Sequence, residues 1–199
     1  MTRVLIVDDE RNIHKAYRAD IRAAADRYEL VETIVSAADA IMVCAAKHID
    51  LVLMDINTAK NENGIEATKR IKKNCPKIKI IVTTSYTDPQ ALKDAKAAGA
   101  DSFWFKDFSP IELLEVMDRT IDGRCYWPKE APDVELGDTT ISALTETEKE
   151  VLHNLVECIS LKKTAEKMFL CRFCISCFTR IRYCAFRWGA VFAAQTRVL

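Results

Sequence analysis

A doubly wound α/β unit on a five-stranded parallel sheet, followed by a small all-α unit, is the architecture this sequence predicts. Three observations predict it. Short apolar runs alternate with stretches of helical periodicity from the start of the chain to about Gly123. The apolar runs are continuous, as strands covered on both faces must be. After Gly123 the alternation stops, and from Leu144 the signals are helical.

The elements follow in order. "RVLIVD", from Arg3 to Asp8, is a compact strand rich in valine and isoleucine, and "NIHKAYRADIRAAADR" follows at helical spacing. "ELVETIVS" is the second strand and "AADAIMVCAAKH" a helix rich in small residues. "IDLVLMDI" is a buried strand ending in Asp55. "GIEATKRIKKNC" is an amphipathic helix with Pro76 just beyond it as a stop. "KIKIIVTTS" is the fourth strand, and "DPQALKDAKAAG" a helix with Gly99 at its end. "SFWFK" is the fifth strand. "SPIELLEVMDRTIDG" is the last helix of the unit, with Ser109 expected as N-cap and Pro110 in the first helical position.

The first unit thus spans residues 1–123. Residues 124–143, with two prolines and several acids in "RCYWPKEAPDVELGDTT", read as a linker, and residues 144–199 as the second unit. The chain of 199 residues is long enough for two such cores. With 29 basic and 29 acidic side chains, a uniformly charged surface is excluded. The opening "MTRVLIVDDE" is a strand running into carboxylates, unlike a secretory leader, and no apolar run approaches bilayer length. A cytoplasmic protein without membrane contact, its thiols reduced, is expected.

Parallel sheets place their chemistry beyond the carboxyl ends of the strands. Asp8 and Asp9 end the first strand and Asp55 the third; Thr84 ends the fourth and Lys106 the fifth. Three carboxylates at one rim repel one another and need a counter-charge. A magnesium ion supplies it, binding a few carboxylate oxygens and keeping waters that a phosphoryl oxygen can replace. Lys106 adds a positive charge and Thr84 a hydroxyl donor. The constellation suits phosphoryl transfer onto a carboxylate. Each residue alone is more often structural than functional, a "DD" pair being a common helix N-cap. It is their joint placement that points to chemistry.

"VLIVDDE", "LVLMDI", "IVTTS" and "FWFKD" resemble the receiver domain of bacterial two-component response regulators, over Thr2 to about Gly123. The resemblance implies a flavodoxin-like fold and a set of roles. Asp9 would bind magnesium directly, Asp8 largely through water, and Asn57 through its backbone carbonyl. Asp55 would accept phosphate from a histidine kinase, with Thr84 and Lys106 contacting the phosphoryl group. Phe103 falls at the family's aromatic switch, where an ordinary strand aromatic is an equal reading. No enzymatic activity is implied beyond the domain's own aspartyl phosphorylation and dephosphorylation. One departure is visible: "DINTAKNENGIEA" lacks the family's proline and is one residue longer before Gly64, which predicts a more mobile loop beside the pocket. A haloacid-type phosphatase is disfavoured, because "VDDER" lacks the second aspartate two residues beyond a first-strand nucleophile.

In the second unit, Thr145 and Glu148 form a capping box ahead of an apolar stripe of Val151, Leu152, Leu155 and Val156. A second short helix follows from Ser160, with Ala165 and Met168 inward. "LTETEKEVL" and "ISLKKTAEKMF" resemble the helix-turn-helix domain of the LuxR (NarL) type. That resemblance implies promoter DNA as partner, a homodimer on phosphorylation, and a reading helix at about Arg172 to Arg187 carrying Arg172, Ser176, Thr179 and Arg180. After Phe169 the pattern is atypical: acids and lysines vanish, and cysteine, arginine and aromatics crowd every side. Three readings compete for this tail. It is a metal or iron–sulfur site on Cys171, Cys174, Cys177 and Cys184, a divergent DNA reader, or a degenerate end from a shifted reading frame. The function expected is a response regulator controlling transcription. The alternative is a receiver serving as a phosphate sink or protein-binding switch beside an inactive second unit.

Overall fold

The computed structural model describes residues 1–85 and 87–132, the backbone of 135–136 and 139–140, and residues 143 and 145. The chain divides into two units, Met1–Pro132 and Asp133–Leu199. In the first, five parallel strands, β1 (Thr2–Val7), β2 (Tyr28–Ile34), β3 (Leu51–Asp55), β4 (Lys79–Thr84) and β5 (Ser102–Phe105), stand in the order β2-β1-β3-β4-β5. The helices are α1 (Arg11–Ala23), α2 (Ala37–Ala46), α3 (Gly64–Asn74), α4 (Pro89–Ala97) and α5 (Leu113–Ile121). This is the doubly wound five-stranded parallel sheet that the alternation of runs predicts, in the flavodoxin-like arrangement that the resemblance implies.

The central strands β1, β3 and β4 are apolar along their buried stretches because both faces are covered, whereas the edge strand β2, with Glu29, Glu32 and Thr33, is mostly only half-buried. Val4, Ile6, Leu51, Leu53, Ile81 and Trp104 face α1 and α5, where they meet Tyr17, Ile21, Val116 and Met117. The alternate residues Leu5, Val7, Val52, Met54 and Ile80 face α2 and α3. Val82, Phe103 and Phe105 continue that second face under α4, against Ala91 and Ala95. The two-residue period of a strand thus sorts one continuous apolar run between two cores.

Helix starts follow local chemistry. Ser36 caps α2 through Asp39 N–H, Asn63 caps α3 through Ile65 and Glu66 N–H, and Asp88 caps α4 ahead of Pro89. Gly99, at φ 87°, ends α4 in the left-handed region that glycine enters without strain. The last helix corrects expectation. It begins at Leu113 after Glu112, with no side-chain cap, so Ser109 and Pro110 lie in the preceding turn. Ser109 is used elsewhere: its N–H donates to Phe105 O at 3.2 Å, and its hydroxyl lies 3.2 Å from Tyr126 Oη.

Two further features depart from the sequence reading. The loop after Asp55 is tied down. Asn57–Thr58 pairs antiparallel with Glu62–Asn63 around Lys60 at φ 64°. Glu62 Oε2 accepts from Ser36 Oγ at 2.7 Å and Ala38 N–H at 3.0 Å, and Ala59 N–H donates to Val35 O at 2.9 Å. The absence of proline is offset by this anchorage on the N-terminus of α2. The stretch from Arg124, expected to be linker, packs on the first unit as far as Pro132. Phe103 N–H donates to Tyr126 O at 2.9 Å, and Trp127 Nε1 to Asp101 O at 3.1 Å. In the second unit, Glu135–Leu136 pairs antiparallel with Thr139–Thr140. The expected helices of that unit, and Cys171, Arg172, Cys174, Ser176, Cys177, Thr179, Arg180 and Cys184, lie outside the described residues. Among the described residues, no helix is long and apolar enough to cross a membrane.

Candidate functional site

Each strand of the parallel sheet delivers its last residue to the same edge. Register fixes how closely they meet: Val7 pairs with Met54, Asp55 with Thr83, and Thr84 with Phe105. The residues just past these pairs, Asp8 and Lys106, therefore converge on Asp55. Asp8 is fully buried and Asp55 nearly so, while Asp9 is exposed. Carboxylate oxygens of Asp8, Asp9 and Asp55 all lie within 4.8 Å of one another.

Lys106 holds the buried pair together. Its Nζ lies 2.7 Å from Asp8 Oδ2 and 3.1 Å from Asp55 Oδ1, with a side chain only 3% exposed. Asp8 Oδ1 also accepts from Glu10 N–H at 2.8 Å, and the Asp8 carbonyl is in hydrogen-bonding contact with His14 Nε2. Burial pushes the Asp55 carboxyl up to about 7; Lys106 pulls it down and Asp8 pushes it up further. Burial opposes the charge on Lys106, but Asp55 and Asp8 together outweigh it and hold the ammonium above its ordinary range. Asp55 is thus a carboxylate lacking compensation, which is the condition a bound cation relieves.

The donor set fits magnesium. Two oxygens on one such ion lie at most about 4.2 Å apart at ordinary bond lengths, so small side-chain rotations would bring these three carboxylates into reach of it. Asp9, on the exposed side, would leave a bound cation open to water. Asn57, two residues beyond Asp55, begins the pinned hairpin and is exposed. Thr84 is buried at the end of β4, its carbonyl accepting from Lys106 N–H at 2.9 Å. Phe103 is fully buried on the α4 side of β5, its ring centroid 5.0 Å from that of Phe105.

Gly64 does more for the site than its place after the loop indicates. A Cβ there would lie 1.8 Å from the Asp55 carbonyl oxygen and 3.0 Å from Met54 Cγ. Its N–H donates to Ile56 O at 2.8 Å, so the first residue of α3 presses directly on the strand end that carries Asp55. Glu62 and Trp127 also escape a reading by motif, since each acts through partners distant in sequence.

A doubly wound sheet with an acidic triad and a buried lysine at its carboxyl edge defines the receiver class of signalling modules. The chain belongs to the response regulator receiver domain family, which matches residues 4–118. It is 27% identical over 178 residues to the DNA-binding transcriptional activator DevR/DosR of Mycobacterium tuberculosis, covering 85% of this chain and 81% of that protein. It is 30% identical over 131 residues to the response regulator protein VraR of Staphylococcus epidermidis, covering 64% of this chain but only 60% of VraR. Among solved structures it resembles a LuxR-family two-component response regulator from Aurantimonas sp. SI85-9A1, with a TM-score of 0.56 and 26% identity over 66% of this chain and 91% of that one.

Proposed function

We propose that this protein is a two-component response regulator that takes a phosphoryl group on Asp55 from a histidine kinase and controls transcription through its second unit. The observation that carries this reading is the shared Lys106 ammonium, 2.7 Å from Asp8 and 3.1 Å from Asp55, beside an exposed third carboxylate. In the transfer, an Asp55 carboxylate oxygen forms a bond to phosphorus while the P–N bond of the donor phosphohistidine breaks, and the imidazole keeps the electron pair. Magnesium, held by Asp8, Asp9, Asp55 and the Asn57 carbonyl, supplies charge neutralisation when bound. Lys106 is buried, so its charge acts in a low dielectric and stabilises the oxygens that gain charge. Thr84 donates its hydroxyl to the same group, and Phe103 responds to its movement. The domain acts on no substrate other than its own aspartate.

The kinase partner follows from the receiver family, and DNA as a partner is supported by the likeness to DevR/DosR, named as a DNA-binding activator. A cytoplasmic homodimer, formed on phosphorylation and seated on paired half-sites through a LuxR-type helix-turn-helix, suits that role. The test of the site is phosphate uptake from a small-molecule phosphodonor with magnesium. The wild type acquires acid-labile phosphate and Asp55→Ala does not; labelling that persists in the variant rejects Asp55.

The atypical composition after Phe169 favours a second reading, in which the receiver works as a phosphate sink or protein switch beside an inactive DNA unit. Selection from random duplexes separates the two. A recovered consensus supports the regulator, whereas weak, salt-sensitive, sequence-blind binding supports the switch.

A further inference from the structure

Residues 124–132 form a strap along the outer edge of β5. An edge strand presents unpaired backbone groups, and here the Phe103 N–H is taken up by the chain itself. Phe103 N–H donates to Tyr126 O at 2.9 Å, and Tyr126 N–H donates to Ser102 Oγ at 3.0 Å. Trp127 Nε1 reaches Asp101 O at 3.1 Å. The indole lies over Phe103, with centroids 6.2 Å apart and planes at 32°, and Lys96 Nζ sits 5.6 Å from its centre. Ala131 packs on the same cluster as Phe103 and Phe105.

The other end of this short strand is the acid site. Phe103 packs edge-to-face on Phe105, with ring centroids 5.0 Å apart and planes at 62°; Phe105 pairs in register with Thr84, and the next residue, Lys106, holds Asp8 and Asp55. Phe103 and Lys106 are about 10 Å apart along the strand. In between, the two faces of β5 are closely packed, and a packed core moves as discrete rearrangements, not as continuous deformation.

We propose that Trp127 is a positioning residue for the phosphoryl site. Clamped on Phe103, it couples the strap that leads into the second unit to the state of Lys106 and Thr84. The proposal rests on the assignment of Asp55 above. The strap contacts are those of the unphosphorylated site, in which Lys106 is divided between two carboxylates. A phosphoryl group on Asp55 draws Lys106 and Thr84 to itself, and the Phe105–Phe103–Trp127 packing built on the present arrangement is weakened. Linkage then requires the converse: loosening the strap favours the phosphorylated form by the same factor.

The test uses the full chain with magnesium, and beryllofluoride as the phosphoryl mimic. Amide hydrogen exchange at Phe103 and across residues 124–131 should accelerate about fivefold on addition of the mimic, within the usual range of coupling between sites. Trp127→Ala should bind the mimic about fivefold more tightly, and Trp127→Phe, which keeps an aromatic over Phe103, should stay near wild type. Exchange unchanged by the mimic, or equal or weaker binding by Trp127→Ala, overturns the coupling while Asp55 still takes phosphate. If Asp55 takes no phosphate from a small-molecule donor, the assignment of the site fails and the role of the strap falls with it.

Discussion

The Nζ of Lys106 lies 3.1 Å from Oδ1 of Asp55, in a site where the lysine is almost wholly out of water. A cation so placed is shared with Asp8, 2.7 Å away, and one charge therefore serves two carboxylates. The cluster remains net negative, and its properties should depend strongly on a divalent ion.

Lys106→Ala leaves Asp8 and Asp55 facing each other without the ammonium. Breaking a buried pair from one side costs about 3 kcal/mol. The variant is expected to unfold at lower urea concentration than wild type in a chelator, and to recover part of the loss in saturating magnesium. A deficit of the same size with and without the metal would show that lysine and cation do not serve the same carboxylates.

Gly64→Ala tests the close approach beneath Asp55. The added Cβ would sit 1.8 Å from the Asp55 carbonyl oxygen, which is backbone and cannot swing aside. Forced overpacking costs about 1–3 kcal/mol. Because the strain falls on the strand end, phosphate uptake at Asp55 should slow more than tenfold, in a single-turnover assay, even under conditions where the variant is folded. Unaltered stability and uptake would mean that α3 can retreat from β3.

Glu62→Ala removes the anchor of the hairpin. Hydrogen bonds from Ala38 N–H and Ser36 hold the Glu62 carboxyl below its ordinary range. In the wild type the amides of Ala38 and Ala59 should exchange slowly, and in the variant at close to free-loop rates. Rapid exchange in the wild type would restore the mobile loop that the missing proline suggests.

Acid stability should depend on Asp101. Burial raises its carboxyl, but Lys72, the Ile80 N–H at 2.9 Å and Lys79 at 3.0 Å outweigh it and hold the group below the usual carboxylate range. A carboxyl that is more acidic in the fold stabilises it above the unfolded value, near pH 4, and loses that contribution as pH falls through the folded value. Asp101→Asn should cost roughly 2 kcal/mol at neutral pH and flatten the decline in stability below about pH 4. Urea midpoints measured from pH 7 to pH 3 would show it; parallel curves for variant and wild type would reject the assignment.

Much of the fold was legible because a buried parallel strand has a simple signature. "RVLIVD" and "LVLMD" must be apolar on both faces, and the observed division of Leu5 and Ile6 between opposite cores is the reason. Asp8, Asp9, Asp55 and Lys106 could be read together because strand ends of a parallel sheet share an edge whatever the intervening sequence. Less legible was anything held by long-range partners. Ser109 and Pro110 carry the local chemistry of a helix start, yet the turn there is committed to Phe105 and Tyr126, and α5 begins at Leu113. Glu62 reads as a loop acid until α2 is seen beside it. Tyr126 and Trp127, in a stretch marked by prolines, read as linker until the bare edge of β5 appears.

The order of strands and helices along the chain, and the identity of the acidic cluster and its lysine, belong to the chain as written, because each depends on neighbours in sequence or on the period of a strand. The separation of Lys106 from its two carboxylates, the pressure of Gly64 on Asp55, the anchorage of Glu62 and the lodging of Trp127 on Phe103 were decided by packing. They join residues that no local pattern relates, and only the folded sheet brings them within contact distance.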